Sequence, residues 1–153
     1  MLALKKICSI ALALVIVYSC KKSTPSSQPT PAPTSIGNLT VDGTSVGNLT
    51  HTSFNNWGNF GVIAYAYNAN PEIQVTFSGT ATPTYGTYAI TTGTVSYGKC
   101  TLVYSDTGYT SSATSGYVNV VTSGTAPNNT LSFSNIYVNG NAGHHTLSAT
   151  ITY

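Results

Sequence analysis

Side chains able to take part in acid–base chemistry are scarce in this sequence, which has three acidic residues and three histidines among 153 residues. The acids are Asp42, Glu72 and Asp106. A glycosidase needs two carboxyl groups flanking one bond. Because Asp42 also begins an Asp-Gly turn signal, only two acids are left for such a pair. The sequence therefore disfavours glycosidase chemistry.

The histidines His51, His144 and His145 offer a second kind of chemistry, because neutral imidazole binds transition metals. His144 and His145 are adjacent in the chain. Neighbouring residues of a strand point to opposite faces, so the two side chains would reach one ion only at the mouth of a turn after Gly143. No carboxylate accompanies them in the sequence. We expect solvated loop histidines, with no metal site and no cofactor.

Two nucleophiles complete the set of reactive side chains. Cys100 could form a dyad with a histidine, but a free cysteine is usually a small buried hydrophobe, and we expect that role. Ser45 lies in Gly43-Thr44-Ser45-Val46-Gly47, which matches the G-x-S-x-G pattern of hydrolases. That pattern requires a strand-to-helix turn, whereas a hairpin turn precedes Ser45 and no helical pattern follows it. We therefore expect no enzyme, and keep a small hydrolase as the less favoured alternative.

Aromatic residues are the strongest indication of binding in a sequence with eleven tyrosines, four phenylalanines and one tryptophan. Trp57 lies in an Asn-rich stretch, Tyr65 and Tyr67 follow it, and Tyr109 lies in a break between Asp106 and Ser115. Aromatic rings beside amides are typical of sugar-binding surfaces and protein interfaces. We predict that Trp57, Tyr65, Tyr67 and Tyr109 bind a ligand. The alternative is that these rings fill the ends of a charge-poor core.

The start of the chain has the pattern of an export signal. Lys5 and Lys6 precede an apolar run from Ile7 to Tyr18, which is shorter than the ~20 residues that a membrane span needs. The run ends in Val17-Tyr18-Ser19-Cys20, which resembles the lipobox of bacterial lipoproteins. The resemblance implies that residues 1–19 are removed and that Cys20 is lipidated. An ordinary secretory signal is the alternative.

Residues 20–34, rich in Pro, Ser and Thr, are expected to form an extended tether after the lipidated cysteine. In the lipoprotein family, an aspartate after the cysteine favours retention at the inner membrane. Lys21 stands there instead, so the resemblance implies a lipid anchor in the outer membrane. It leaves open which face of that membrane the protein occupies.

Residues 35–153 are expected to form one domain of low charge, with one lysine, Lys99, against three acids. The charge of this part is therefore −2, from one minus three, and the whole sequence has no arginine. Binding to nucleic acid needs clustered Lys or Arg to displace counterions from phosphates. Nucleic acid is therefore excluded as an expected partner.

Alternation of apolar and polar residues predicts an all-β fold. Residues 72–77, 117–120, 131–134 and 147–153 alternate with a period of two. Asp42-Gly43 predicts a type I′ hairpin that pairs Val41 with Thr44. The change of phase between Phe133 and Ile136 predicts either a bulge at Asn135 in one strand or two strands joined by a bend. We predict an antiparallel β-sandwich of about eight to ten short strands, with a small closed β-barrel as the alternative.

Anchor, tether and β domain together resemble the short β-rich envelope lipoproteins of Gram-negative bacteria. The expected function is that of a non-catalytic binding module whose partner is a polysaccharide or an envelope protein. A structural or adhesive surface module is the alternative.

Overall fold

The computed structural model describes residues 35–56, 58–66, 70–122 and 129–153, apart from the side chains of 51–56 and 66. The predicted leader and tether lie outside these residues. These residues contain ten strands. Within the same part of the chain, no helix is long and apolar enough to cross a membrane. The strands are β1 (Gly37–Val41), β2 (Thr44–Asn56), β3 (Asn59–Ala66), β4 (Glu72–Ser78), β5 (Gly86–Ile90), β6 (Lys99–Asp106), β7 (Tyr109–Ala113), β8 (Tyr117–Val121), β9 (Thr130–Gly140) and β10 (Gly143–Thr152).

All ten strands belong to one hydrogen-bonded sheet, in the order β10-β1-β2-β3-β4-β6-β5-β8-β9-β7. Additional pairings join β10 to β9 and β6 to β7, so that the pairings run round a ring. Every pairing between two of these strands is antiparallel except the short one between β5 and β6, and an isolated parallel bridge joins Asn59 to Gly79. The all-β prediction and the expected number of strands are confirmed. The predicted sandwich is not confirmed, because the strands form a single sheet.

One face of this sheet supplies the core. Buried residues alternate with more exposed ones along several of the strands, as in β4, where Ile73, Val75 and Phe77 point inward between partly exposed neighbours. Strands from all round the ring contribute to this single cluster of apolar side chains. Fully burying a Leu, Ile, Val or Phe side chain stabilises the fold by about 1.5–3 kcal/mol. The core therefore holds the sheet in one register, because a slip by one residue would turn each apolar set outward.

The predicted hairpin joins β1 to β2. Asp42 and Gly43 have φ values of 51° and 79°, as a type I′ turn requires, and Val41 pairs with Thr44. Gly47, at φ 96°, lies where the register between the two strands shifts, and Asn38 then pairs with Asn48. A register shift of this kind increases the local right-handed twist of the strand that contains it.

The predicted bulge in β9 is also confirmed. Leu147 of β10 pairs with Ile136 and Ala149 pairs with Phe133, so β9 has one extra residue between these pairs. Asn135 takes a left-handed conformation at φ 53°. Its backbone N–H donates to Oγ of Ser148 across 3.0 Å. The bulge keeps apolar residues inward on both sides of it and leaves Ser148 on the outer face.

Candidate functional site

The outer face of the sheet carries a row of uncharged polar side chains, one on each of six neighbouring strands. Each member is paired directly with the next by strand register, a relationship that no single stretch of sequence reveals. We call this set the outer row. It runs from β5 to β2 through Thr87, Asn119, Ser132, Thr150, Asn38 and Asn48.

The outward direction of the row follows from the core. Asn119 lies between buried Val118 and Val120, and Ser132 lies between buried Leu131 and Phe133. The same alternation holds on β10 and β1, where Ala149, Ile151 and Leu39 are buried. Because successive side chains of a strand alternate between faces, the polar members must face solvent. The hydrophobic core thus determines where these polar groups lie.

A shallow depression of about 300 Å³ covers the middle of the outer row. Four members of the row line it, together with hydroxyl groups that lie two residues further along the strands. We call this depression the outer groove. Phe133 and Ala149, whose side chains are buried in the core, are also among its lining residues, and its polar lining is Asn38, Thr40, Asn119, Ser132, Ser134, Ser148 and Thr150.

Hydrogen bonds hold the two amides of the groove in defined orientations. Thr87 Oγ1 donates to Oδ1 of Asn119 across 2.8 Å, and the backbone N–H of Thr150 donates to Oδ1 of Asn38 across 3.2 Å. With each carbonyl oxygen engaged in this way, each amide presents its NH₂ group as a donor. The hydroxyl of Ser148 accepts from Asn135 and keeps its own proton to donate. Three side chains of the groove, Asn38, Asn119 and Ser148, are therefore oriented by hydrogen bonds before any ligand binds.

No ionisable side chain lines the outer groove. The charged residues of the described domain are Asp42, Glu72, Lys99 and Asp106, and none of them is among the lining residues. A charged ligand bound here would lose hydration without gaining a counter-charge. The arrangement favours a neutral ligand that both donates and accepts hydrogen bonds.

Two exposed tyrosines share the outer face with the groove. Tyr117 is 63% exposed and lies two residues before Asn119 on β8. Tyr137, on β9 beyond the bulge, stacks on His144 with 6.0 Å between ring centroids and 15° between planes. Its hydroxyl lies 2.8 Å from Nδ1 of His144, which fixes the ring although it is 54% exposed. Rings held in this way provide flat apolar surfaces with a polar tip.

The four aromatic residues predicted to bind a ligand do not mark the groove. Trp57 and Tyr67 lie outside the described residues. Tyr65 is half-buried on β3, opposite Glu72 on the outer face. Tyr109 is exposed, and it begins β7 opposite Asp106, so the predicted break over 106–115 is wrong. Tyr109 lies two residues before Ser111, whose side chain faces inward, so the two point to the same face of β7. Tyr109 and Tyr65 are therefore on opposite faces of the sheet.

His144 and His145 follow Gly143, the first residue of β10, so the expectation of loop histidines is wrong. As expected for neighbours on a strand, their side chains point to opposite faces. His144 is exposed and contacts Tyr137. His145 is half-buried, with Nδ1 2.7 Å from Oδ2 of Asp42 and Nε2 3.0 Å from the carbonyl oxygen of Ala142. Among the residues described, no group of three or more potential metal-ligating side chains comes together.

His145 has two hydrogen-bond acceptors, one facing each ring nitrogen, and this favours the doubly protonated ring. The carboxylate of Asp42 contributes most to raising the pKa of His145, while partial burial opposes the rise. The ring edge of Tyr104 approaches the imidazole with 5.2 Å between centroids. In the same contact, His145 and the backbone N–H of Thr146 lower the pKa of Asp42. Asp42 thus serves as a structural carboxylate.

Cys100 and Ser45 occupy unreactive surroundings. Cys100 is fully buried as expected, with Sγ 3.9 Å from the carbonyl oxygen of Tyr88, and burial raises the pKa of the thiol to about 12. A thiol is nucleophilic only as the thiolate. Ser45 is exposed on β2 opposite Thr40, directly after the hairpin turn. The strand-to-helix turn that its motif requires is therefore not formed around it.

Comparison with known proteins gives no guide to the site: no family model matches the chain, and neither a curated protein nor a solved structure matches it. The outer groove was missed by sequence reasoning, which followed the aromatic residues. Its signal is present in the polar positions of the alternating segments, such as Asn119 and Ser132. Those positions become a site only when the strands are aligned.

Proposed function

We propose that this protein is a membrane-anchored envelope lipoprotein whose β domain binds a neutral polysaccharide without catalysis. The observation that carries the proposal is the outer groove, a depression lined by amides and hydroxyls and free of ionisable side chains. Sugars are neutral and carry donors and acceptors at every hydroxyl, which complements such a surface.

A protein partner is the weaker alternative for this groove. The central part of a protein interface is usually apolar and desolvated, with aromatic anchors. Here the lining is mostly polar, and none of the exposed tyrosines is among the lining residues. The polar lining thus favours the polysaccharide over the envelope protein.

The proposal also covers the location of the protein at the outer membrane and the architecture of its β domain. Lipidation at Cys20 anchors the chain in the outer membrane, and the tether over residues 20–34 separates the β domain from the lipid headgroups. The ring of strand pairings supports a small closed barrel over a sandwich, with the groove on its outer surface. A lipid anchor and a polysaccharide-binding groove in one chain would hold a polymer close to the membrane.

The binding experiment uses the intact protein in detergent and titration calorimetry. The probes are neutral glucan, mannan and galactan oligosaccharides, beside a polyuronic acid of similar length. We expect at least one neutral probe to bind and the polyuronic acid to bind more weakly. Asn119→Ala removes an oriented donor and should weaken binding by about fivefold, as the loss of one neutral hydrogen bond does.

Asn139→Ala is the matched control, because Asn139 is an exposed asparagine of the same face, on β9, that does not line the groove. It should leave the affinity unchanged. Equal binding by both variants, or failure of every neutral probe to bind, would contradict the proposed site.

The anchor is tested separately. Intact mass and membrane fractionation of the native protein beside Cys20→Ala should show acyl mass and membrane association only for the native chain. A soluble, unlipidated native protein would contradict the anchor and leave the groove to be tested independently.

A further inference from the structure

We infer that the ligand of the outer groove is a linear neutral polysaccharide lying across the strands, with about one sugar unit for each strand it crosses. This inference rests on the proposed function, and adds to it the direction, the length and the linear form of the bound chain. The outer row carries it, because its register is continuous over five strand-to-strand steps.

The spacing of the row matches a polymer. Neighbouring strands lie about 4.8 Å apart, so the six members of the row span about 24 Å. An extended chain of pyranose units repeats at a distance close to one strand spacing. Each unit can therefore meet an equivalent polar group, first an amide at Asn119, then hydroxyls at Ser132 and Thr150, then an amide at Asn38.

The groove offers no equal path along the strands. Outward positions on one strand are about 6.8 Å apart, and the groove contains at most two of them on any one strand, such as Asn38 and Thr40 on β1. The bulge at Asn135 and the register shift at Gly47 interrupt the regular positions beyond them. The long axis of the polar surface therefore runs from strand to strand.

Sheet twist adds a constraint on the shape of the ligand. Successive strands rotate by about 20–25° relative to each other. The row therefore turns as it advances, and a chain that follows it must twist gently instead of lying flat. Branched polymers are disfavoured, because Tyr117 stands beside the row and is 63% exposed.

The two amides at opposite ends of the groove make the inference testable. Asn119 on β8 and Asn38 on β1 are separated by two strands, so a disaccharide cannot reach both. A linear chain of four units can. Both amides are exposed, so that replacing either by alanine is compatible with the fold, which melting curves check.

The experiment measures the affinity of the intact protein in detergent for malto-, cello- and manno-oligosaccharides of one to six units. We expect the affinity for the preferred series to rise by about fivefold for each added unit up to four units. Asn119→Ala and Asn38→Ala should each weaken tetrasaccharide binding about fivefold, and Asn139→Ala should not change it. Disaccharide binding should respond to one of the two groove variants at most.

The outcomes separate the two proposals. Binding whose strength does not increase beyond two units, or which only one of the two groove variants weakens at any length, overturns the placement across the strands while leaving a neutral sugar site in place. Failure of the native protein to bind any oligosaccharide overturns the proposed function itself.

Discussion

His145 and Asp42, which are 103 positions apart in the chain, approach to 2.7 Å between Nδ1 and Oδ2. The contact ties the β1–β2 turn to the start of β10. Two hydrogen bonds to the backbone of Thr146 support this contact. The N–H of Thr146 donates to Oδ1 of Asp42 across 2.8 Å, and the carbonyl oxygen of Thr146 accepts from the N–H of Asp42 across 2.9 Å. The half-buried imidazole also donates from Nε2 to the Ala142 carbonyl, which belongs to the β9–β10 turn. One side chain thus connects two turns.

Stability should depend on the protonation of His145. Its pKa is raised above the usual 6.5, chiefly by the hydrogen bond to Asp42, so its contribution is fully present below about pH 6.5 and is lost as the pH rises through the raised value. The melting temperature of the native protein should therefore fall across that window. His145→Gln should remove this slope.

Two other variants check the assignment of the slope. His144→Gln changes the exposed histidine bound to Tyr137 and should retain the native slope. Asp42→Asn should reduce the same slope, because the Asp42 carboxylate is the main cause of the raised pKa of His145, and it should also change the stability at acid pH. The pKa of Asp42 is lowered from 3.8, so its contribution is present above about that pH and is lost as the pH falls through the lowered value. The carboxyl of Asp106 and the ring of Tyr104 face the same pair and remain in all three variants.

Gly140→Ala should destabilise the protein by about 2 kcal/mol, as overpacking at a tight contact does. A Cβ on Gly140 would lie 2.5 Å from the Thr110 carbonyl oxygen and 2.7 Å from Cα of Ser111, both of which are backbone atoms of β7. The midpoint of urea unfolding measures the change. Asn139→Ala, at the exposed neighbouring position, should unfold near the native midpoint. A native-like midpoint for Gly140→Ala would refute the close approach of β7 and β9.

Cys100 should resist alkylation in the folded protein. Its side chain is fully buried and its thiol has a pKa raised to about 12 by that burial, so thiolate is scarce and inaccessible at neutral pH. Peptide mapping after treatment with iodoacetamide should find Cys100 unmodified in buffer and modified in concentrated urea. Rapid labelling in buffer would contradict the buried position of Cys100 on β6, the strand between β4 and β5.

Substitutions at Asn135 should follow the backbone conformation. At φ 53°, asparagine or glycine is tolerated, whereas a β-branched side chain is strained by about 1–2 kcal/mol. Asn135→Gly should therefore unfold close to the native midpoint in urea, and Asn135→Val well below it. Similar midpoints for the two variants would argue against the left-handed bulge.

The sequence by itself determined much of the local structure. Alternation with a period of two identified parts of β4, β8, β9 and β10, and Asp42-Gly43 identified the turn because a type I′ turn needs two positive φ values. The change of phase around Asn135 identified the bulge, because apolar side chains must return to the buried face after it. These features depend on residues close together in the chain, where backbone sterics and hydrophobic burial act locally.

Only the tertiary structure decided the candidate site. Asn119, Ser132, Thr150 and Asn38 come from separate segments, and each is an ordinary exposed polar residue in its own strand. They become neighbours because core burial sets the register of β8, β9, β10 and β1, and a slip of one residue would turn them inward. The same long-range pairing joined the strands into one ring and brought His145 to Asp42. Side-chain alternation encodes which face a residue occupies, but only packing between distant strands determines which residues share that face at the same level.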